Sequence, residues 1–156
     1  MKPTLFVDMD DTIAQFIGDE RLLCIPITHL HQDYKEMHEK EFFRKQVVMP
    51  GAKKAIKTLL DSQKFEIYIL SVPLATSPHS YSEKVEWISE HFPELLKRIV
   101  FTQDKSLIRG NFLVDDSILW QEPWENNGGD FIRFDPRKNA QSQWERITDY
   151  LLSQVK

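Results

Sequence analysis

Leu5-Phe6-Val7-Asp8-Met9-Asp10-Asp11-Thr12 is the stretch on which the reading of this chain turns. Its first three residues form an apolar run with the length of a buried strand. Three carboxylates then fall within four residues, at Asp8, Asp10 and Asp11. Carboxylates crowded at the end of a strand repel one another unless a cation sits between them. The stretch therefore points to a bound metal, and to chemistry at the carboxyl end of the first strand.

The rest of the chain sets bounds on that chemistry. Its 156 residues suit one compact domain with a small insertion. Hydrophobic residues at 41% and charged residues at 28% are the proportions of a soluble globular protein. A net charge of −4 gives no broad basic surface, so duplex nucleic acid is not an expected partner. A small anionic substrate remains compatible, because a metal and a few local cations override a weak global charge. Cys24 is the only cysteine, which excludes an intramolecular disulfide and favours a reducing, cytoplasmic setting. The first residues lack the basic start and long apolar core of a signal peptide. No apolar run approaches ~18 residues, so no membrane span is expected.

Five short apolar or aromatic runs read as strands, at 4–7, 66–70, 98–101, 111–114 and 131–134. Helical spacing appears at 52–62 (Ala55, Ile56, Leu59, Leu60), at 82–92 (Val85, Trp87, Ile88, Phe92) and at 143–154 (Trp144, Ile147, Tyr150, Leu151). Asn126-Asn127-Gly128-Gly129 is a turn before the last strand. Strands alternating with helices predict an α/β fold, a Rossmann-like, mostly parallel five-stranded sheet flanked by helices. In such sheets the reactive groups gather beyond the carboxyl ends of the strands. Residues 15–48 break the rhythm and are too long for an ordinary connection. They read as a small, partly helical cap inserted after the first strand, over a core of residues 1–14 and 49–156.

Candidate site residues stand at or beyond the expected strand ends. Asp8 and Asp10 follow the first strand and Ser71 the second, Lys84 stands near the start of a helix, and Asp115-Asp116 follow Phe112-Leu113-Val114. This order resembles the haloacid dehalogenase superfamily of phosphohydrolases. Its D-x-D-x-T motif is matched by Asp8-Met9-Asp10-Asp11-Thr12, its strand-ending hydroxyl by Ser71, its lysine by Lys84 and its acidic pair by Asp115-Asp116. Within that superfamily the chain is most similar to the 5′(3′)-deoxyribonucleotidase branch. The similarity lies at Phe42-Phe43 leading to Pro50-Gly51-Ala52, at Tyr81-Ser82-Glu83-Lys84-Val85-Glu86-Trp87 and at Thr102-Gln103-Asp104-Lys105. It extends to Leu113-Val114-Asp115-Asp116 and Pro123-Trp124-Glu125. The chain departs from the mammalian members of that branch in a shorter insertion, in Val72 where they carry a second hydroxyl, and in Gln103 where they carry an arginine. These departures leave the nucleoside preference open.

The resemblance implies a Mg²⁺-dependent phosphomonoesterase acting through an aspartyl-phosphate, with a deoxynucleoside monophosphate as substrate. A phosphate monoester dianion repels a bare carboxylate, and a bridging Mg²⁺ removes that penalty. Oxygen ligands favour Mg²⁺ over zinc. By resemblance Asp8 is metal ligand and nucleophile, and Asp10 lends the metal its backbone carbonyl while its carboxyl serves as acid and base. Asp115 is the remaining side-chain ligand, and Asp116 supports by orienting metal-bound water or Lys84. Ser71 donates to a phosphoryl oxygen, and Lys84 neutralises the phosphoryl group and Asp8.

Other residues carry two readings each. Asp11 reads as a local support more than as a chemical group. Phe42 and Phe43 pack the insertion's own small core, or Phe43 stacks on a nucleobase, a contact worth ~1–3 kcal/mol. Lys105 faces the site and holds substrate, or it lies on the surface. A cap this small leaves room for a homodimer in which a second subunit completes the site. Two rival functions remain: a phosphatase for another small phosphorylated metabolite, and a receiver-like signalling module. The second needs an acceptor aspartate ending a later strand, where this chain has Ser71.

Overall fold

The computed structural model describes residues 1–16 and 35–155. Five strands, β1 (Thr4–Val7), β2 (Glu66–Ser71), β3 (Ile99–Phe101), β4 (Phe112–Asp115) and β5 (Asp130–Arg133), form one sheet of order β3-β2-β1-β4-β5. Every pairing is parallel, as the alternating pattern predicts. The chain runs outward from β1 to β2 and β3, then returns to the other side of β1 with β4. That reversal makes the carboxyl ends of β1 and β4 a switch point, the place where open parallel sheets leave a crevice. A receiver-like module requires the order 2-1-3-4-5. Here β4 lies beside β1, so that rival falls.

Period-two alternation gives the sheet two buried faces. Leu5, Val7, Ile67, Ile69, Val114 and Ile132 pack on one face with residues of α1 (Ala52–Asp61), α2 (Pro78–His91) and α4 (Ala140–Gln154). Phe6, Leu70, Leu113 and Phe131 pack on the other with Trp124 of α3 (Gln121–Asn126). Gly51 at the start of α1 has φ 86, and a Cβ there would stand 3.0 Å from the backbone of Gln141. Its lack of a side chain lets α1 and α4 close on each other. Trp144 reaches out of α4 to donate its indole N–H to the carbonyl of Thr12, 3.2 Å away. The outer helix thus holds the acidic loop after β1.

Several element boundaries depart from the periodicity. Helix α2 begins at Pro78, four residues before the expected start, because a proline is compatible with a first helical turn that needs no N–H. Lys84 therefore sits in the second turn of the helix. Strands β2 and β4 extend one residue further than expected and take Ser71 and Asp115 into the sheet. Helix α3 was not legible, since its six residues offer one buried apolar side chain, Trp124.

Of the expected insertion, residues 17–34 lie outside the described residues. Its ends are paired: Ala14 and Val48 form an antiparallel bridge, Gln15 N–H donates to the carbonyl of Val47 at 2.8 Å, and Met49 N–H to that of Ile13 at 2.7 Å. The 35–48 segment returns beside the strand end that carries Asp8 and Asp10. Among the described residues no helix is long and apolar enough to cross a membrane.

Candidate active site

The loop after β1 is a tight, internally bonded turn. Asp8 N–H continues the sheet by donating to Val114 at 2.9 Å. The carbonyl of Met9 then accepts from Thr12, Ile13 and Ala14 at 3.2, 3.0 and 2.9 Å. Asp11 adopts φ 57, a left-handed conformation that aspartate tolerates better than most side chains. Its Oδ1 accepts from Phe16 N–H at 2.9 Å, so Asp11 shapes the loop. Met9, Ile13 and Ala14 are buried beneath. Asp8 and Asp10 are thereby held on a rigid turn.

Asp8, Ser71 and Asp115 lie at the carboxyl ends of three adjacent strands, β1, β2 and β4. Lys105, from a 3₁₀ turn at Lys105–Leu107, joins them. Its ammonium is 2.6 Å from Oδ1 of Asp8 and 2.5 Å from Oδ2 of Asp115, and the residue is 2% exposed. The surface alternative for Lys105 falls. Burial alone would lower the pKa of its ammonium, but Asp8 and Asp115 outweigh that and raise it. The other oxygen of Asp8 accepts from the Thr12 hydroxyl at 3.3 Å.

Lys84 occupies the opposite side of the site. It is fully buried and donates to Oδ2 of Asp10 and, at 3.0 Å, to Ser71 Oγ. This differs from the sequence-based assignment in one respect. The cation against Asp8 is Lys105, and Lys84 serves Asp10 and Ser71. The reason is geometric: Lys84 reaches in from α2 beyond β2, whereas Lys105 enters from beyond β3 and extends to β1 and β4.

Phe43 lies in an enclosed cluster with Phe16 and Phe42 and is 1% exposed. Its ring stacks edge-on against Phe42 at 5.1 Å and carries the Lys84 ammonium 5.0 Å from its centroid. In this arrangement Phe43 braces Lys84 and does not present an open platform to a base. Glu83, next to Lys84 on α2, accepts from the backbone N–H groups of Glu41 and, at 3.1 Å, Phe43. One helix thus holds both the insertion's return and the lysine. Sequence reasoning missed Glu83, whose only signal was its place beside Lys84.

Gln103, one of the departures noted in the sequence, donates its amide to the carbonyl of Pro73 at 2.8 Å. It supplies no charge there.

The acidic pair after β4 adds to the cluster. Carboxylate oxygens of Asp8, Asp115 and Asp116 lie within 4.8 Å of one another. Burial and the neighbouring Asp8 push the Asp115 carboxyl up to about 7. Burial, with Asp8, Asp115 and Asp11 nearby, pushes Asp116 up to about 10. A single lysine leaves this group of acids short of positive charge, and all the donors are hard oxygens. The residues present fit a hard divalent cation such as Mg²⁺.

A parallel sheet of this order, with an Asp-x-Asp turn, a strand-ending hydroxyl, buried lysines and an acidic pair at its switch point, defines a member of the haloacid dehalogenase superfamily. Residues 26–150 match the family model described as "5' nucleotidase, deoxy (Pyrimidine), cytosolic type C protein". The chain belongs to that family. It is 34% identical over 93 residues to the mitochondrial 5′(3′)-deoxyribonucleotidase of Mus musculus, a match taking in 56% of this chain and 42% of the relative. It is 33% identical over 76 residues to the cytosolic-type enzyme of Homo sapiens, 48% of this chain and 38% of that one. Against the 5′(3′)-deoxyribonucleotidase of Bacillus subtilis (strain 168) identity is 26% over 182 aligned positions, 97% of this chain and all of the relative. The chain thus spans less than half the length of its mammalian relatives and the whole of the bacterial one.

Proposed function

We propose that the chain is a Mg²⁺-dependent phosphomonoesterase that removes phosphate from deoxyribonucleoside 5′- or 3′-monophosphates through an aspartyl-phosphate. The observation that carries this reading is the convergence of Asp8, Ser71 and Asp115 on one switch point, with Lys105 on Asp8 and Lys84 joining Asp10 to Ser71. The names of the full-length bacterial and partly matching mammalian relatives supply the nucleotide.

Asp8, Asp115 and the backbone carbonyl of Asp10 would hold Mg²⁺, with Asp116 beside them. When bound, the metal offsets the repulsion between the phosphate dianion and these carboxylates. One carboxylate oxygen of Asp8 attacks phosphorus in line as the ester P–O bond breaks. The Asp10 carboxyl gives its proton to the departing ester oxygen. Asp10, now ionised, takes a proton from water, and that water attacks phosphorus to release phosphate and restore Asp8. Ser71 and Lys84 donate to the phosphoryl oxygens. Lys105 fixes the Asp8 carboxyl in place for attack. The single cysteine supports a reducing compartment such as the cytoplasm.

A second reading, a phosphatase for another small phosphorylated metabolite, is favoured by Val72 and by the neutral Gln103, which is committed to Pro73. Phosphate release from a panel of deoxynucleotides, ribonucleotides and sugar phosphates separates the two. Turnover highest on deoxynucleotides supports the nucleotidase. Equal or better turnover of sugar phosphates overturns it.

A further inference from the structure

We infer that Gln46, a residue of the insertion's return segment, is the positioning residue for the acid–base carboxyl of Asp10. This rests on the phosphomonoesterase reading above and extends it to a residue outside the acidic motifs. The Gln46 amide donates to Oδ1 of Asp10 at 3.0 Å, while Lys84 holds Oδ2 of the same carboxyl. Donors on different oxygens fix the plane of a group whose terminal torsion is otherwise broad. Gln46 is itself secured. It is 3% exposed, its amide also lies 3.4 Å from the Gln15 carbonyl, and its own carbonyl accepts from the Trp87 indole at 2.8 Å. Asp10 keeps 27% of its side chain exposed, so the carboxyl is held from behind and open in front.

A purely structural role fits Gln46 poorly. Among the described residues its Oε1 is buried without a hydrogen-bond partner. An orphaned buried oxygen costs stability, and an apolar side chain of the same length would avoid that cost. What a glutamine adds at this position is the amide N–H directed at Asp10.

The test uses the leaving group. An alkyl ester such as thymidine 5′-monophosphate leaves as an alkoxide and depends on a well-placed acid. p-Nitrophenyl phosphate leaves as a stabilised phenolate and needs little help from one. The quantity to measure is kcat/KM, which reports the transfer to Asp8, with thermal unfolding run alongside. Gln46→Met should unfold within a few degrees of wild type. Its kcat/KM on thymidine 5′-monophosphate should fall about 10- to 100-fold, as misplacement of a catalytic group does, and on p-nitrophenyl phosphate by less than about 3-fold. Gln46→Leu, which also removes the donor without adding a charge, carries the same expectation should the methionine variant fail to fold. Equal losses on both esters, or no loss on either, overturn the inference while leaving the phosphatase reading intact. A wild-type protein inactive on both esters overturns the parent reading and this inference with it.

Discussion

The ammonium of Lys105 lies 2.6 Å from Asp8 and joins it to Asp115, so one buried cation spans the ends of β1 and β4. The strand ends bring the acids together, and the lysine makes their closeness tolerable. Removing one member of a buried ion group leaves the others uncompensated, typically at a cost of about 3–5 kcal/mol. Lys105→Met should lower the thermal unfolding temperature of the metal-free protein by several degrees and reduce turnover at least about 100-fold. Lys105→Arg should not restore turnover, because a planar guanidinium cannot occupy a point-charge position. Unchanged unfolding and turnover in Lys105→Met would contradict the assignment.

The acidic pair sets a pH dependence with a definite sign. Asp115 and Asp116 titrate higher in the folded chain, near 7 and 10, than their ordinary value of 3.8. The folded state therefore holds protons that the unfolded state has already released. Their contribution to stability is full below about pH 4 and is lost as pH rises through the folded values. In EDTA, unfolding temperature should fall between pH 5 and 8 as far as these two groups control it. Mg²⁺ should flatten that fall, because a bound divalent cation stabilises the ionised carboxylates. Turnover should vanish in EDTA and return with Mg²⁺. A stability that rises with pH in EDTA, or activity that survives thorough chelation, would count against the metal site.

Glu83 and Phe43 tie the insertion to the chemistry through Lys84. Glu83→Ala leaves the N–H groups of Glu41 and Phe43 without their acceptor, at a cost of about 1–3 kcal/mol. Phe43→Leu removes the ring beneath Lys84, a contact worth about 0.5–2 kcal/mol. Since Phe43 braces the lysine, its loss should lower kcat several-fold on nucleotides and on p-nitrophenyl phosphate alike. A rise in KM confined to nucleotides would instead mark Phe43 as a base-stacking residue.

These relationships were unequally legible in the sequence. Asp8, Asp10, Ser71 and Asp115 were visible because each ends or follows an apolar run, and strand ends in a parallel sheet share one edge. The sheet was visible for the same reason. The division of labour between Lys84 and Lys105 was not. Lys105 sits in a polar loop on a 3₁₀ turn of three residues, too short to show any periodicity. Its role depends on which strands lie side by side, and nothing near residue 105 records that order. Gln46 was silent too, because its approach to Asp10 follows from the Ala14–Val48 bridge between residues far apart in the chain. Phe43 and Lys84 were each visible, but their contact was not.

Trapping the phosphorylated protein tests the central claim most directly. Acid quenching during turnover of ³²P-labelled thymidine 5′-monophosphate, followed by peptide mapping, should place the label on the peptide carrying Asp8 as a hydroxylamine-labile acyl phosphate. Asp8→Asn should carry no label and release no phosphate while unfolding as a folded protein does. Steady phosphate release with no label on the protein, or an Asp8→Asn variant that keeps full activity, would contradict the account.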